Sequence, residues 1–304
     1  MRPGSEVLAA FGASAGPVRL PGGEGRAWRA GQIVLKPADE PQVARWTADL
    51  YHDLAGRPRP GFRVPRPVRS AAGDWIARDP VVGDPAGGDD TAGAWVAWQL
   101  VPGEHADWSG FSPCWPRLIA ASRAFHAALA GRPAPSWLGQ DGSPWTVADQ
   151  MAWGDRDPGG ILGSGSSRLG GQVLRGQVRS VLAALRPVRL EAQLIHGDLG
   201  GNVLFAAGEP PAVIDFSPYW RPAGLALAVA AVDALTWSGA DPAILDELAG
   251  EPELDQLLAH AHVCRLVTEV VFRRGDPGRL ETVARTSQPV TVLLMKRLAA
   301  GRIT

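Results

Sequence analysis

The sequence predicts an α+β protein with two lobes, a smaller β-rich lobe followed by a larger, mainly helical one. Short apolar segments separated by glycine-rich turns fill roughly the first hundred residues, which is typical of strands. Apolar residues at helical spacing dominate the remainder. The pair Pro102-Gly103 separates the two patterns, so we predict lobes at 1–101 and 102–304 with a cleft between them.

The first lobe begins with a predicted β-hairpin. The segment Pro17–Leu20 leads into a glycine-rich turn at Pro21–Gly25. Arg26–Ala30 then forms one predicted strand, and Gln32–Lys36 forms the next after a turn at Gly31.

A helix and two more strands complete the predicted first lobe. The sequence Asp39-Glu40-Pro41 is a helix start signal, because a polar cap precedes a proline at the first helical position. We expect that helix to reach about Ala55. The further strands are predicted around Gly73–Ala77 and Gly93–Val101.

The second lobe is predicted to be helical. Residues 135–167 are rich in Gly, Ser, Pro and Asp and predict a long surface loop with short helices. Asp233, on an otherwise apolar helix, is either a buried partner of an arginine, which we favour, or a substrate contact. The predicted helices are Trp115–Leu129, Gly171–Leu185, Ala223–Trp237, Asp241–Leu248, Glu253–Arg273 and Gln288–Leu298.

Composition excludes several classes of protein. The 304 residues carry a net charge of -1 without a block of like charges, so neither nucleic acid nor an anionic membrane surface is an expected partner. Cys114 and Cys264 are too few for a disulfide framework or a cysteine metal site. We find no signal-peptide or transmembrane pattern. The expectation is a cytoplasmic protein that acts on a small molecule, with no signal for its oligomeric state.

Two rare residue types mark the candidate functional site. Asn202 is the only asparagine of the chain, and it closes the segment His196-Gly197-Asp198-Leu199-Gly200-Gly201. Lys36, one of only two lysines, ends an apolar strand pattern. Asp215 follows soon after, in Val213-Ile214-Asp215-Phe216. Together these side chains are the polar groups that phosphoryl transfer requires.

Each of these residues has a chemical task in such a site. Lys36 is suited to a contact with nucleotide phosphates, and Asp198 can accept the proton of an acceptor hydroxyl. The oxygen atoms of Asn202 and Asp215 are hard ligands for Mg²⁺. The first-turn glycines either let backbone N–H groups approach phosphates or merely turn the hairpin: Gly22, Gly23 and Gly25.

These motifs resemble a known group of enzymes. His196-Gly197-Asp198-Leu199 with Asn202, followed by Val213–Phe216, resembles the catalytic core of the aminoglycoside phosphotransferase and choline kinase group. Members of that group are small-molecule kinases with the protein-kinase-like fold. Three further segments are similar to an actinobacterial set of proteins: Ser122–Ala128, Trp153–Arg156 and Phe216–Pro222.

The resemblance implies a role for each matched position. Asp198 would be the catalytic base, and we expect His196 to brace the loop rather than to transfer protons. ATP and Mg²⁺ are the implied cofactors, and the acceptor is a small-molecule hydroxyl. The remaining implied contacts are Mg²⁺ at Asn202 and Asp215, the α and β phosphates at Lys36, and adenine at the backbone of Trp98–Val101, where Gln99 and Val101 are the candidates.

Three positions depart from the pattern of that group. Three residues separate Asp198 from Asn202, where the group has four. The first-lobe helix lacks the glutamate that usually pairs with the strand lysine, and Asp49 is favoured over Asp53 as its substitute. Ser217 stands where a glycine is usual.

The predicted function is ATP- and Mg²⁺-dependent phosphorylation of a hydroxyl on an unidentified small molecule by direct in-line transfer. The short loop and the missing glutamate leave a nucleotide-binding pseudokinase, or regulatory binding protein, as the alternative. A protein kinase is disfavoured because no long regulatory loop follows Asp215 and no arginine stands beside Asp198. Tyr219, Trp220 and Arg221 either flank the acceptor or have a structural role.

Overall fold

A computed structural model describes residues 1–21, 25–57, 61–79, 93–163, 169–273 and 276–301. Gly22 and Gly23, two of the predicted phosphate-binding glycines, lie outside these residues. The chain divides into two compact units. The first contains residues 1–104 and 204–214, and the second contains residues 105–203 and 215–304.

The first unit is built on an antiparallel sheet. Its strands are β1 Val18–Arg19, β2 Trp28–Ala30, β3 Ile33–Pro37, β4 Pro67–Val68, β5 Ile76–Arg78 and β6 Ala94–Gln99. They are ordered β1-β2-β3-β6-β4, and β5 also pairs with β6. Lys36 lies opposite Val96 in the β3–β6 pairing, and Ile33 lies opposite Gln99.

Two helices belong to the first unit. The predicted helix is confirmed as α2, Pro41–Gly56, with its proline in the first turn. A short helix, α1, Ser5–Ala10, was not predicted, because six residues give too little periodicity to recognise. Its Val7 is buried in a core with Leu35 and Trp95, so α1 covers one face of the sheet.

Residues 204–214 return to the first unit through backbone contacts. Arg63 donates to the carbonyl of Pro210 at 2.8 Å and to that of Pro102 at 2.6 Å. Arg63 also forms an isolated parallel bridge with Ala212. The local sheet is ordered β10-β9-β7, from β7 Glu104–His105, β9 Val203–Phe205 and β10 Ala212–Val213.

The second unit is mainly helical, as predicted. Its helices are α3 Trp115–Leu129, α4 Pro144–Ala152, α5 Gly159–Gly163, α6 Leu169–Leu182, α7 Leu225–Asp233, α8 Ile244–Glu247, α9 Leu254–Phe272 and α10 Pro277–Ala300. A π-helical turn, Ala234–Ser238, continues α7. The apolar faces of α4, α6, α9 and α10 form one core, which includes Leu174, Val178, Val263 and Val267. A two-stranded antiparallel sheet pairs β8, Gln193–His196, with β11, Pro218–Arg221.

The last helix is longer than predicted. The predicted start at Gln288 is wrong, because α10 begins at Pro277 and runs through Pro289. The Asp276 side chain caps it by accepting the Arg279 N–H at 3.0 Å. The interior proline resembled a start signal, whereas Asp276-Pro277 is the true one. No helix among the described residues is long and apolar enough to cross a membrane.

Candidate active site

The loop after β8 is shaped by its packing against β11. His196, the last residue of β8, pairs with Pro218, and the Gly197 N–H donates to the Ser217 carbonyl at 2.8 Å. The ring of Tyr219 covers Gly197 so closely that a Cβ at this position would overlap the Tyr219 ring atoms. Gly197 is therefore required for close approach of the aromatic ring and not for a left-handed backbone.

Two buried histidines hold the backbone of this loop. The His196 N–H donates to His126 Nε2 at 3.1 Å, so the proton of His126 lies on Nδ1, which donates to the Ser122 carbonyl at 2.7 Å. Burial lowers the pKa of His126 to about 4, and the ring is neutral. The Asp198 N–H donates to His196 Nδ1 at 3.2 Å. His196 is fully buried, which suits the bracing role expected of it.

Asn202 folds back over Asp198. Its Nδ2 donates to the Asp198 carbonyl at 2.7 Å and to Asp198 Oδ2 at 3.1 Å. The Asn202 N–H donates to the Leu199 carbonyl at 3.0 Å, so the loop closes as a tight turn despite its short length. Within the described residues, Asn202 Oδ1 makes no hydrogen bond and is available to a ligand.

The two loop glycines act through space rather than through backbone freedom. Neither Gly200 nor Gly201 has a positive φ. A Cβ on Gly200 would lie 3.3 Å from Cα and Cβ of Ala230, and the Gly200 carbonyl accepts the indole N–H of Trp108 at 3.0 Å. A Cβ on Gly201 would meet nothing within 4 Å.

An arginine that the sequence analysis did not identify contacts the predicted catalytic base. Arg265, on α9, donates through Nη2 to Asp198 Oδ1 at 2.8 Å. The same guanidinium binds both oxygens of Asp233, with Nε–Oδ1 at 2.9 Å and Nη2–Oδ2 at 2.6 Å. The favoured interpretation of Asp233 as the partner of an arginine is confirmed. Burial raises the pKa of Asp233, and Arg265 opposes that effect.

Asp215, the second predicted Mg²⁺ ligand, lies between β10 and β11 in an uncommon backbone conformation. Its φ is +50°, in the left-handed region that a non-glycine residue adopts at a cost of about 1–3 kcal/mol. The next residue, Phe216, packs edge-on against Phe125 at 5.8 Å and His196 at 5.4 Å between ring centroids. The buried aromatic contacts hold the segment in which Asp215 is strained.

Tyr219 of β11 and Asp149, a partner of Arg221, line a small cavity beside the loop. Arg221 donates to both oxygens of Asp149 through three hydrogen bonds of 2.7–3.2 Å, and to Asp155 at 2.7 Å. Trp153 stacks on His260 at 4.0 Å between ring centroids. The cavity encloses about 20 Å³, room for about one water molecule. Its lining includes Asp149, Trp153, Gly197, Tyr219, His260 and Arg265.

The predicted nucleotide-binding residues lie in the first unit. Lys36 lies on β3, and the carboxylate of Asp49 on α2 accepts the indole N–H of Trp75 at 2.7 Å. The backbone N–H and C=O of Val101, just beyond β6, have no hydrogen-bond partner among the described residues. The Gln99 N–H donates to the Arg66 carbonyl at 2.7 Å, and Gly25 has a φ of +64°.

The fold of this chain is similar to that of several solved structures. Neither a family model nor a curated protein matches the sequence. A microcompartment-associated aminopropanol kinase has a TM-score of 0.60 at 16% identity, over 97% of this chain and 96% of that chain. A choline/ethanolamine kinase family protein from Mesorhizobium loti has a TM-score of 0.58 at 18% identity, over 99% and 98%.

A third solved structure extends the comparison to the antibiotic kinases. A spectinomycin phosphotransferase in complex with ADP and spectinomycin has a TM-score of 0.51 at 12% identity, over 93% of this chain and 92% of that chain. The predicted fold class is confirmed: the chain has a two-lobed, kinase-like α+β fold, similar to that of the aminopropanol kinase, the choline/ethanolamine kinase family protein and the spectinomycin phosphotransferase.

Proposed function

We propose that this protein is an ATP- and Mg²⁺-dependent phosphotransferase that acts on a hydroxyl of a small molecule. The observation that carries the proposal is the arrangement of Asp198. Its backbone is held by His196 and Asn202, while its half-exposed carboxylate remains accessible to an acceptor. The likeness to solved small-molecule kinases supports the same class of reaction.

The proposed reaction is a single in-line displacement. The acceptor hydroxyl oxygen attacks the γ-phosphorus of ATP and loses its proton to the Asp198 carboxylate. The bond between the γ-phosphorus and the β–γ bridging oxygen breaks, and ADP leaves. Positioning and charge neutralisation supply most of the rate enhancement in such a transfer, so a well-held carboxylate matters more than a strong base.

The donor set fits Mg²⁺ bound together with nucleotide. The amide nitrogen of Asn202 is occupied by Asp198, which leaves the amide oxygen as a ligand, and Asp215 supplies a carboxylate. The described residues contain no group of three or more His, Cys, Asp or Glu side chains that could hold a metal alone. Mg²⁺ commonly takes one or two protein oxygens plus phosphate oxygens, and when bound it would neutralise phosphate charge.

The first unit is the proposed nucleotide-binding lobe. The N–H and C=O of Val101, which no described residue pairs, follow strand β6, and such groups can form the hydrogen bonds that an adenine edge requires. Gln99 is the second adenine candidate of that segment. The phosphate contacts proposed are Lys36 and the hairpin turn, Gly22, Gly23 and Gly25, and Asp49 remains the proposed partner of Lys36.

A pseudokinase is the second candidate. Both carboxylate oxygens of Asp198 already accept a hydrogen bond, one from Arg265 and one from Asn202. Each oxygen has a second lone pair, and the side chain is 48% exposed, so a hydroxyl can still bind. If the protein were a pseudokinase, it would bind nucleotide without hydrolysing it or transferring phosphate.

Two substitutions separate chemistry from nucleotide binding. Asp198→Asn should lower Mg²⁺-dependent turnover by about 10²–10⁴-fold because it removes the base, while the affinity for ATP changes little. Lys36→Ala should instead weaken nucleotide binding or turnover by removing a phosphate contact. Turnover is measured as ATP hydrolysis and as transfer to a panel of small alcohols, and binding as a nucleotide-induced thermal shift.

The chain offers a matched control for the lysine. Lys296, the other lysine, lies on α10, and Lys296→Ala should leave both nucleotide binding and turnover unchanged. An Asp198→Asn variant with full turnover would exclude Asp198 as the base. ATP binding by the unaltered chain with no hydrolysis and no transfer would favour the pseudokinase.

A further inference from the structure

We propose that Arg265 is a positioning residue for phosphoryl transfer, which holds the Asp198 carboxylate in its productive orientation. The inference rests on the proposed function. The carboxylate has two described contacts, Arg265 at Oδ1 and Asn202 at Oδ2. The Asn202 contact is longer, at 3.1 Å against 2.8 Å, and it is not an ion pair. The guanidinium adds the attraction of an opposite charge to its hydrogen bond, so Arg265 dominates the orientation.

Arg265 can hold Asp198 in place because its own guanidinium is held by Asp233. Nε and Nη2 bind the two Asp233 oxygens side by side, which fixes the plane of the guanidinium. Asp233 is the last residue of α7, and the π-helical turn Ala234–Ser238 begins directly after it. Short π-helical segments inside helices are frequent at functional sites, which agrees with a local distortion that serves Asp233.

The Arg265 guanidinium and the Asp198 carboxylate differ in solvent exposure. The Arg265 side chain is 16% exposed, whereas the Asp198 side chain is 48% exposed. The arginine is therefore a largely enclosed support for the carboxylate, which extends toward solvent. Arg265 also lies between two like charges, Asp198 and Asp233, which would otherwise repel each other. Arg265, Asp198 and Asp233 together carry a net charge of about -1.

The role is one of orientation, because Arg265 acts through Asp198. Small displacements of a reacting group are costly in transfers that depend on alignment, and an error of about 1 Å can lower the rate about 10²-fold. Loss of Arg265 should leave the weaker Asn202 contact as the only described restraint on the Asp198 carboxylate, which can then rotate more easily about its side-chain bonds. We expect a lower kcat with little change in nucleotide affinity.

The test measures Mg²⁺-dependent ATP hydrolysis, in which water is the acceptor, together with ADP affinity by titration. Arg265→Ala should lower kcat by about 10–100-fold, while the dissociation constant of ADP changes by less than about threefold. Arg265→Lys keeps the buried positive charge but cannot bind both carboxylates as a planar fork, so it should recover part of the rate. Thermal unfolding establishes that each variant is folded.

The matched control is Arg297→Ala. Arg297 donates to Asp255 at 2.7 Å, and Asp255 lies on the same helix as Arg265 but about 15 Å along its axis. This substitution also breaks an ion pair of α9, and it should leave kcat unchanged. Equal losses for Arg297→Ala and Arg265→Ala would overturn the positioning role in favour of general stability.

The decisive variant combines Asp198→Asn with Arg265→Ala. If Arg265 acts through Asp198, the double variant should have the same residual rate as Asp198→Asn alone. An additional loss equal to that of Arg265→Ala in the unaltered chain would overturn the inference, as would an unchanged kcat in Arg265→Ala. Absence of hydrolysis and transfer in the unaltered chain would instead overturn the proposed function, and the positioning role with it.

Discussion

At the scale of single residues, Gly197 shows how much of the loop geometry depends on one missing side chain. The ring of Tyr219 occupies the space that a Cβ at position 197 would need. The backbone pairing of His196 with Pro218 sets that distance, so the ring cannot retreat without disturbing β8 and β11. A turn glycine is usually explained by a positive φ, which Gly197 does not have.

We expect Gly197→Ala to destabilise the protein by about 1–3 kcal/mol, because an added methyl group overpacks the contact with Tyr219. Gly201→Ala is the matched control, since a Cβ there meets nothing within 4 Å and should change stability by less than about 0.5 kcal/mol. Denaturant unfolding of both variants is the measurement. Equal stability of the two variants would show that Tyr219 moves away from Gly197 freely.

The residues of the candidate site were predictable only in part. The isolated Asn202 and the acidic residues near it stood out because their types are rare or their spacing matches a motif. Arg265 gave no such signal, since arginine is abundant in this chain and nothing near it in sequence is unusual. Asp233 on an apolar helix did indicate an arginine partner, but periodicity cannot identify a partner that lies 32 positions away in the sequence.

At the scale of elements, α10 shows where pattern reasoning fails. A proline inside a helix lacks the N–H of an i to i−4 bond and usually ends or kinks the helix, so Gln288-Pro289 resembled a beginning. Tertiary packing overrides that preference here, because Leu280, Val283 and Ala284 on the preceding turns are buried in the core shared with α6 and α9. By contrast, α3 has a proline in its first turn and an unbroken apolar face, and it was predicted at its observed limits.

The start of α10 at Pro277 can be tested at its cap. Asp276→Ala should lower the free energy of unfolding by about 1 kcal/mol, because the Arg279 N–H loses its side-chain acceptor. Asp276→Ser restores an N-cap acceptor and should retain most of the stability. Chemical denaturation of the three proteins provides the comparison. If the helix began at Gln288 instead, removing the Asp276 side chain would have no measurable effect.

At the scale of the whole molecule, buried neutral histidines couple stability to pH. His126 and His262 are almost completely buried, and burial lowers the pKa of each to about 4 from an ordinary value of 6.5. Protonation of His126 would remove the acceptor of the His196 N–H. Protonation of His262 would place a proton on Nδ1, which has no hydrogen-bond partner in the described part of the chain, while Nε2 lies 2.8 Å from Thr291 Oγ1.

The direction of this pH dependence follows from the difference in histidine pKa between the folded and the unfolded protein. Below pH 6.5 the unfolded chain binds a proton at each of these histidines, whereas the folded protein does so only near pH 4. The free energy of unfolding should therefore decrease as the pH falls from about 6.5 to 4, by up to about 1.4 kcal/mol per pH unit for each histidine. His262→Gln removes one of the histidines whose pKa is lowered by burial, so it should make this decrease smaller. The free energy of unfolding of the unaltered chain and of His262→Gln is measured with denaturant at pH 8 and at pH 5. The difference between the two proteins at pH 8 gives the packing cost of the substitution. A change in that difference at pH 5 gives the contribution of protonation. The same difference at both pH values would mean that His262 is protonated equally in the folded and unfolded states.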